Sequence, residues 1–152
     1  MEIRTLKRET MEEKLPEYFE RQPDHVFILD LVPTGESTIF CMFPETEFSV
    51  SHTFATFLDD IQRIEPKDNE TGVTKEIADN IQDFIFKIRN YKTNKDKRLL
   101  VVCKSGYTVS GAVALWAMDW LMDSNEEEFN KLNPDIRPNE FILRDLYLHP
   151  II

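Results

Sequence analysis

Apolar positions along this chain recur at two spacings, and the spacing predicts the elements. Ile3 and Leu6 mark a short strand over Met1–Leu6. Over Arg8–Arg21, Leu15 and Phe19 share one face of a helix, with Thr10 as a candidate cap and Glu12 and Glu13 in the first turn. Pro16 interrupts that pattern and would kink it. His25–Val32 (HVFILDLV) is a nearly continuous apolar run, which suits a strand covered on both faces. Pro33-Thr34-Gly35-Glu36 ends the run as a turn. Ser37–Phe43 predicts a further strand, and Phe54–Ile61 (FATFLDDI) another that leads into a polar loop over Ile64–Gly72.

Val73–Tyr91 carries the strongest helical pattern before the last third of the chain. Ile77, Ile81, Phe84, Ile85 and Ile88 recur at three- and four-residue steps, and Thr74 is the N-cap candidate. After a basic turn over Lys92–Arg98, Leu99–Val102 (LLVV) predicts a buried central strand. Ser110–Met122 is a strongly apolar helix, with Trp116 and Trp120 on one face, and Glu126–Leu132 a shorter one. Arg137-Pro138-Asn139 opens a last helix with Phe141, Ile142 and Leu146 on its apolar side. Strands alternating with helices argue for an α/β fold with a largely parallel central sheet flanked by helices.

Composition adds bounds. The 152 residues suit one domain over 1–152, large enough to bury a core unaided. The formal net charge of −10 repels polyanions, so nucleic acid is not an expected partner. No apolar run approaches membrane-spanning length, and the charged N-terminus lacks an export core, so a cytoplasmic location is expected. The two cysteines, Cys41 and Cys103, form neither a disulfide framework nor a metal spacing. Cys41 is expected in the core, and His25, His52 and His149 match no metal site. No cofactor fingerprint is present.

The chemistry concentrates in LLVV-CKSGYTVS-GAVALWAMDWL. A buried strand ends at Val102, a loop carries Cys103 and Gly106, and a helix starts at Ser110. A loop at the carboxyl end of a strand that feeds a helix N-terminus is where α/β sheets bind ligands. Its free amides and the helix dipole favour an anion, and the same field stabilises a thiolate.

This segment resembles the phosphate-binding loop of cysteine-dependent tyrosine and dual-specificity phosphatases: His-Cys, two residues, Gly, two residues, Arg, then Ser or Thr. Cys103 matches the nucleophile, Gly106 the loop glycine and Ser110 the hydroxyl. FLDDI is similar to the region that carries the family's general-acid Asp, which makes Asp59 and Asp60 the candidates. RPNEFILRDL resembles the final helix of small phosphatases from bacteria and their viruses. The resemblance implies a phosphate cradle over Lys104, Ser105, Gly106, Tyr107, Thr108 and Val109, no cofactor, and a phosphorylated protein or small phosphate as ligand. For a viral protein the compartment would be the host cytoplasm.

Two departures change the expected chemistry. Val102 stands in place of His, and Val109 in place of the Arg that clamps the phosphoryl oxygens. Valine supplies neither charge nor donors, and loss of a comparable clamp costs about 10³ or more in rate. The expectation is a pseudophosphatase, a phosphatase fold kept for binding or structure. An active phosphatase working through a phosphocysteine and a rhodanese-like sulfurtransferase are the alternatives. Arg63 and Arg137 are the remote residues that could bring a guanidinium to the loop. The plainer alternatives are that Cys103 is an inert buried residue, that one Asp caps a turn and the other is solvated, and that Arg137 only anchors the last helix.

Overall fold

The two runs predicted as buried strands, His25–Val32 and Leu99–Val102, become the two inner strands of a four-stranded sheet. The computed structural model describes residues 1–21, 24–42 and 52–149. In chain order these form β1 (Glu2–Lys7), α1 (Arg8–Arg21), β2 (Val26–Val32), a single 3-10 turn (Ile39–Met42), β3 (Thr53–Phe57), α2 (Lys75–Asn90), β4 (Arg98–Cys103), α3 (Val109–Leu121), α4 (Glu126–Leu132) and α5 (Glu140–Tyr147). The strand order is β1-β4-β2-β3 and every pairing is parallel. The protein is therefore α/β with an all-parallel sheet flanked by helices.

Alternation along the inner strands divides the core. Phe27, Leu29, Leu31, Leu99, Val101 and Cys103 face α2, α3, α4 and α5, and pack with Ile81, Ile85, Val113, Phe129 and Leu146. Val26, Ile28, Leu100 and Val102 face the other way, onto Met11 and Leu15 of α1 and onto Ile39. Full burial of each such aliphatic side chain contributes roughly 1.5–3 kcal/mol. The crossovers β1–α1–β2 and β3–α2–β4 run in opposite directions along the sheet. Right-handed connections then require their helices on opposite faces, as observed. Thr74 caps α2 by accepting from the Ile77 amide at 3.2 Å. At its other end the Lys97 ammonium donates to the carbonyls of Ile88, Arg89 and Tyr91.

Three expectations about secondary structure, and one about burial, are corrected. Thr10 does not cap α1; the helix already begins at Arg8 and runs through Pro16. Ser37–Phe43 is not a strand. Buried Asp30, near the end of β2, captures this segment instead: the Thr38 hydroxyl and the Ile39 amide donate to its Oδ2 at 2.8 and 2.9 Å. The chain is thereby drawn over the α1 face of the sheet, where Ile39 is buried and Cys41 is exposed rather than in the core. Phe43 lies outside the described residues. Third, the strand predicted over Phe54–Ile61 ends at Phe57. The Leu58 amide donates to the carbonyl of Val32, the last residue of β2, and Asp59 then turns the chain.

Asp30 is held by Arg8 at 3.3 Å as well. Burial raises its pKa, outweighing the bonds from Ile39 and Thr38 and the charge of Arg8. Among the described residues no helix is long and apolar enough to cross a membrane.

Candidate functional site

At the carboxyl end of the sheet the chain leaves neighbouring strands toward opposite faces. The segment after β4 turns to α3 on one face, and the segment after β2 turns to the 3-10 helix on the other. A crevice opens where such connections diverge. Here it is a cavity of about 390 Å³ lined by Leu31 of β2 and Pro33 just after it, Leu58, Asp59 and Asp60 after β3, Cys103 at the end of β4, Lys104, Ser105 and Thr108 of the loop, and Val109 at the start of α3.

Cys103 closes β4 and is 2% exposed. Its thiol lies 3.1 Å from Ser110 Oγ, itself fully buried. The Gly106 amide donates to the sulfur at 3.2 Å, and the Ser105 hydroxyl stands 3.7 Å away. Ser105 Oγ also receives the Tyr107 amide at 3.4 Å and meets Thr108 Oγ1 at 3.1 Å. Among the described residues the Gly106 amide is the one backbone donor aimed at the sulfur, not the converging ring of amides that a phosphate cradle over this loop implies. Thr108 precedes α3 without capping it, since its side chain makes no bond to the first turn. The helix begins at Val109, one residue earlier than its apolar pattern predicts.

Gly106 permits the turn of this loop. Its φ is +85°, in the region that favours glycine. A Cβ there would stand 2.5 Å from the Lys7 backbone nitrogen, so the loop lies against the end of β1 with no room for a side chain.

The opposite wall is built from the two aspartates, and they are not equivalent. Asp59 accepts from the Thr34 amide at 2.9 Å, the Thr34 hydroxyl at 2.5 Å and the Thr71 amide at 2.6 Å. Burial pushes its pKa up, but these bonds from Thr34 and Thr71 together outweigh it and hold the carboxyl below its ordinary value. Asp59 therefore pins the loop after β2 to the loop before α2 as a fixed carboxylate. Asp60 is exposed, and its Oδ1 accepts from Gln62 at 3.0 Å and from Asn139 at 2.6 Å.

Sequence reasoning took Arg137-Pro138-Asn139 as a helix start; the structure makes it a strut across the site. The Arg137 amide donates to the Tyr107 carbonyl at 2.9 Å and the Asn139 amide to the Thr108 carbonyl at 3.1 Å, which holds the cysteine loop. The Asn139 side chain donates to Asp60 Oδ1 and to the Ile61 carbonyl, which holds the aspartate loop. Its Oδ1 accepts from the Phe141 and Ile142 amides and caps α5. The strut packs on Gly111 of α3, where a Cβ would stand in ordinary contact with Ile136 and Pro138 at 3.4 Å. The signal available in the sequence was an Asn one residue before an amphipathic helix, which marks a cap but not its second partner.

Among the described residues no guanidinium lines the pocket. Val109 is 5% exposed and lines the cavity where the resemblance would place one. Arg63 pairs with Glu70, and Arg137 contributes its backbone, so neither lines the cavity. Lys104 is exposed at the rim and is the one basic residue among the described residues lining the cavity. Tyr107 is exposed and faces a smaller cleft on the β1 side, with Lys7 and Asn133. Val102 is fully buried on the α1 face, beside Asp30 in register, so it touches the loop only through the backbone. Cys41 and Cys103 are not partners: the turn carrying Cys41 packs on the α1 face and Cys103 faces α3, with the sheet between them. Among the described residues no cluster of His, Cys, Asp and Glu could hold a metal.

Compared with known proteins, the chain matches no family model, no curated protein and no solved structure.

Proposed function

We propose that this protein is phosphatase-like and binds phosphoryl groups at Cys103–Ser110 with little or no turnover. One observation carries the reading. A cysteine loop of the right length closes the central strand, with Gly106 and Ser110 at the sulfur, while Val109 occupies the pocket wall where a guanidinium is needed. A loop held by its own backbone contacts keeps its shape without that side chain, but a clamp that tightens on the transition state is lost with it.

A second reading, residual phosphatase activity, draws on Asp60. In that chemistry the Cys103 sulfur attacks phosphorus, the ester oxygen leaves with a proton from Asp60, and water then cleaves the sulfur–phosphorus bond. Without guanidinium donors the rate falls by about 10³ or more.

The test is alkylation of Cys103 by iodoacetamide with and without inorganic phosphate, beside turnover of para-nitrophenyl phosphate. Binding without turnover predicts that phosphate slows alkylation while hydrolysis stays at background. Turnover that disappears in Cys103→Ser moves the assignment to the active enzyme. No protection at millimolar phosphate removes the anion site. Val109→Arg is expected to raise hydrolysis if the loop geometry is competent.

A further inference from the structure

The geometry points to a ligand that brings its own cation: we propose that the Cys103 pocket takes a phosphorylated peptide segment with lysine or arginine beside the phosphorylated residue. This rests on the phosphoryl-binding reading above and adds what the pocket demands of the rest of the ligand.

The charge balance of the cavity is the starting point. Two carboxylates, Asp59 and Asp60, face one ammonium, Lys104, which is exposed. Asp59 cannot neutralise itself readily when an anion arrives, because three donors from Thr34 and Thr71 fix its charge. The candidate guanidinium of Arg63 is committed to Glu70. A phosphoryl dianion entering alone therefore meets like charges with little compensation.

A cation carried by the ligand changes the sign of that interaction. Asp60 uses Oδ1 for Gln62 and Asn139, and its Oδ2 has no partner among the described residues. A neighbouring ligand ammonium or guanidinium can pair with Oδ2 and screen Asp59 from the phosphoryl group. Its aliphatic stem can lie on Val109 and Leu58, the apolar wall left by the missing arginine. A cavity of about 390 Å³ holds more than a phosphoryl group, so both parts can enter. The formal net charge of −10 also steers basic segments toward the protein.

The experiment is fluorescence anisotropy with the full chain and short labelled peptides: a phosphotyrosine flanked by arginines, the same flanked by glutamates, and the arginine peptide unphosphorylated. The basic phosphopeptide is expected to bind about tenfold tighter than the acidic one at low salt, with the ratio shrinking as ionic strength rises. Asp60→Asn, checked for folding by circular dichroism, is expected to reduce the ratio severalfold. Equal binding of the two phosphopeptides overturns the proposal and leaves the phosphoryl site standing. Equal binding of the arginine peptide with and without phosphate overturns it too, because the cation would then act alone. No phosphopeptide binding removes both readings. The salt series needs no variant, so misfolding of Asp60→Asn leaves the proposal open to refutation.

Discussion

Replacing Asn139 separates its two duties. The residue is 2% exposed, and its carboxamide makes four hydrogen bonds: two accepted from α5 amides, and one donated to each of Asp60 and the Ile61 carbonyl. Asn139→Ala removes all four. Loss of an N-cap costs about 1 kcal/mol. An unsatisfied buried carbonyl at Ile61 adds about 1–2 kcal/mol. The Asp60 bond, discounted because that carboxylate faces water, adds about 0.5–1 kcal/mol. Truncation is thus expected to cost about 3 kcal/mol, read as a lower urea midpoint at unchanged slope. Asn139→Asp is the informative variant. Asp caps a helix as well as Asn does, so α5 keeps its cap. The strut, however, now sets a carboxylate against Asp60 and against the Ile61 carbonyl. A cost of about 2 kcal/mol or more is expected, and pairing it with Asp60→Asn should recover about 1 kcal/mol in a double-mutant cycle. If Asn139→Asp unfolds at the wild-type midpoint, or the cycle shows no coupling, the strut is only a helix cap and the site geometry has another source.

Other outcomes follow from the same coordinates. Gly106→Ala places a Cβ 2.5 Å from the Lys7 nitrogen at φ +85°, so a loss of roughly 2–4 kcal/mol is expected, together with faster alkylation of Cys103 as the loop lifts from β1. Asp30 and Asp59 should give opposite pH dependences. The Asp30 pKa is raised, so its contribution is complete below the ordinary value of 3.8 and is lost as pH rises through the raised folded value. The Asp59 pKa is lowered, so its contribution is present above 3.8 and is lost as pH falls through the lowered folded value. Urea midpoints measured across pH should lose the upper slope in Asp30→Asn and the lower slope in Asp59→Asn; unchanged slopes would contradict both assignments. Val102→His puts an imidazole into a fully buried site beside Asp30, and a midpoint loss of about 2 kcal/mol is expected, less if the ring pairs with that carboxylate.

The strands were legible where both faces are buried. HVFILDLV and LLVV read as inner strands because continuous apolar runs have few other homes, and they became β2 and β4. The amphipathic α2 was equally plain, down to Thr74 as its cap. Ser37–Phe43 failed for a reason that local pattern does not carry. Asp30, eight residues before Thr38, sits in a strand facing inward, and a buried carboxylate must recruit donors. It recruits Thr38 and Ile39, and the segment that reads as a strand is spent on a turn. The division of labour between Asp59 and Asp60 was hidden in the same way. Two adjacent carboxylates look alike in sequence, and the partners that separate them, Thr34, Thr71 and Asn139, lie 25, 12 and 79 residues away.

The loop itself shows why motif and activity can part. Gly106 is required because the chain passes against Lys7 at a positive φ. That demand concerns packing and involves no ligand. Cys103 likewise fits a buried strand end, and its contact with Ser110 satisfies a hydroxyl that would otherwise be unpaired in the core. A strand–loop–helix unit of this shape is therefore held by its own contacts, whatever chemistry its wall supports. Val109, 5% exposed, belongs both to the core and to that pocket wall. Arginine there would have to extend across a cavity with Asp59 and Asp60 on its far side, carboxylates well placed to receive it. Hydrolysis gained by Val109→Arg would locate the deficit in that side chain alone. A variant that folds and still fails to turn over would place it in the loop amides, of which only Gly106 is aimed at the sulfur.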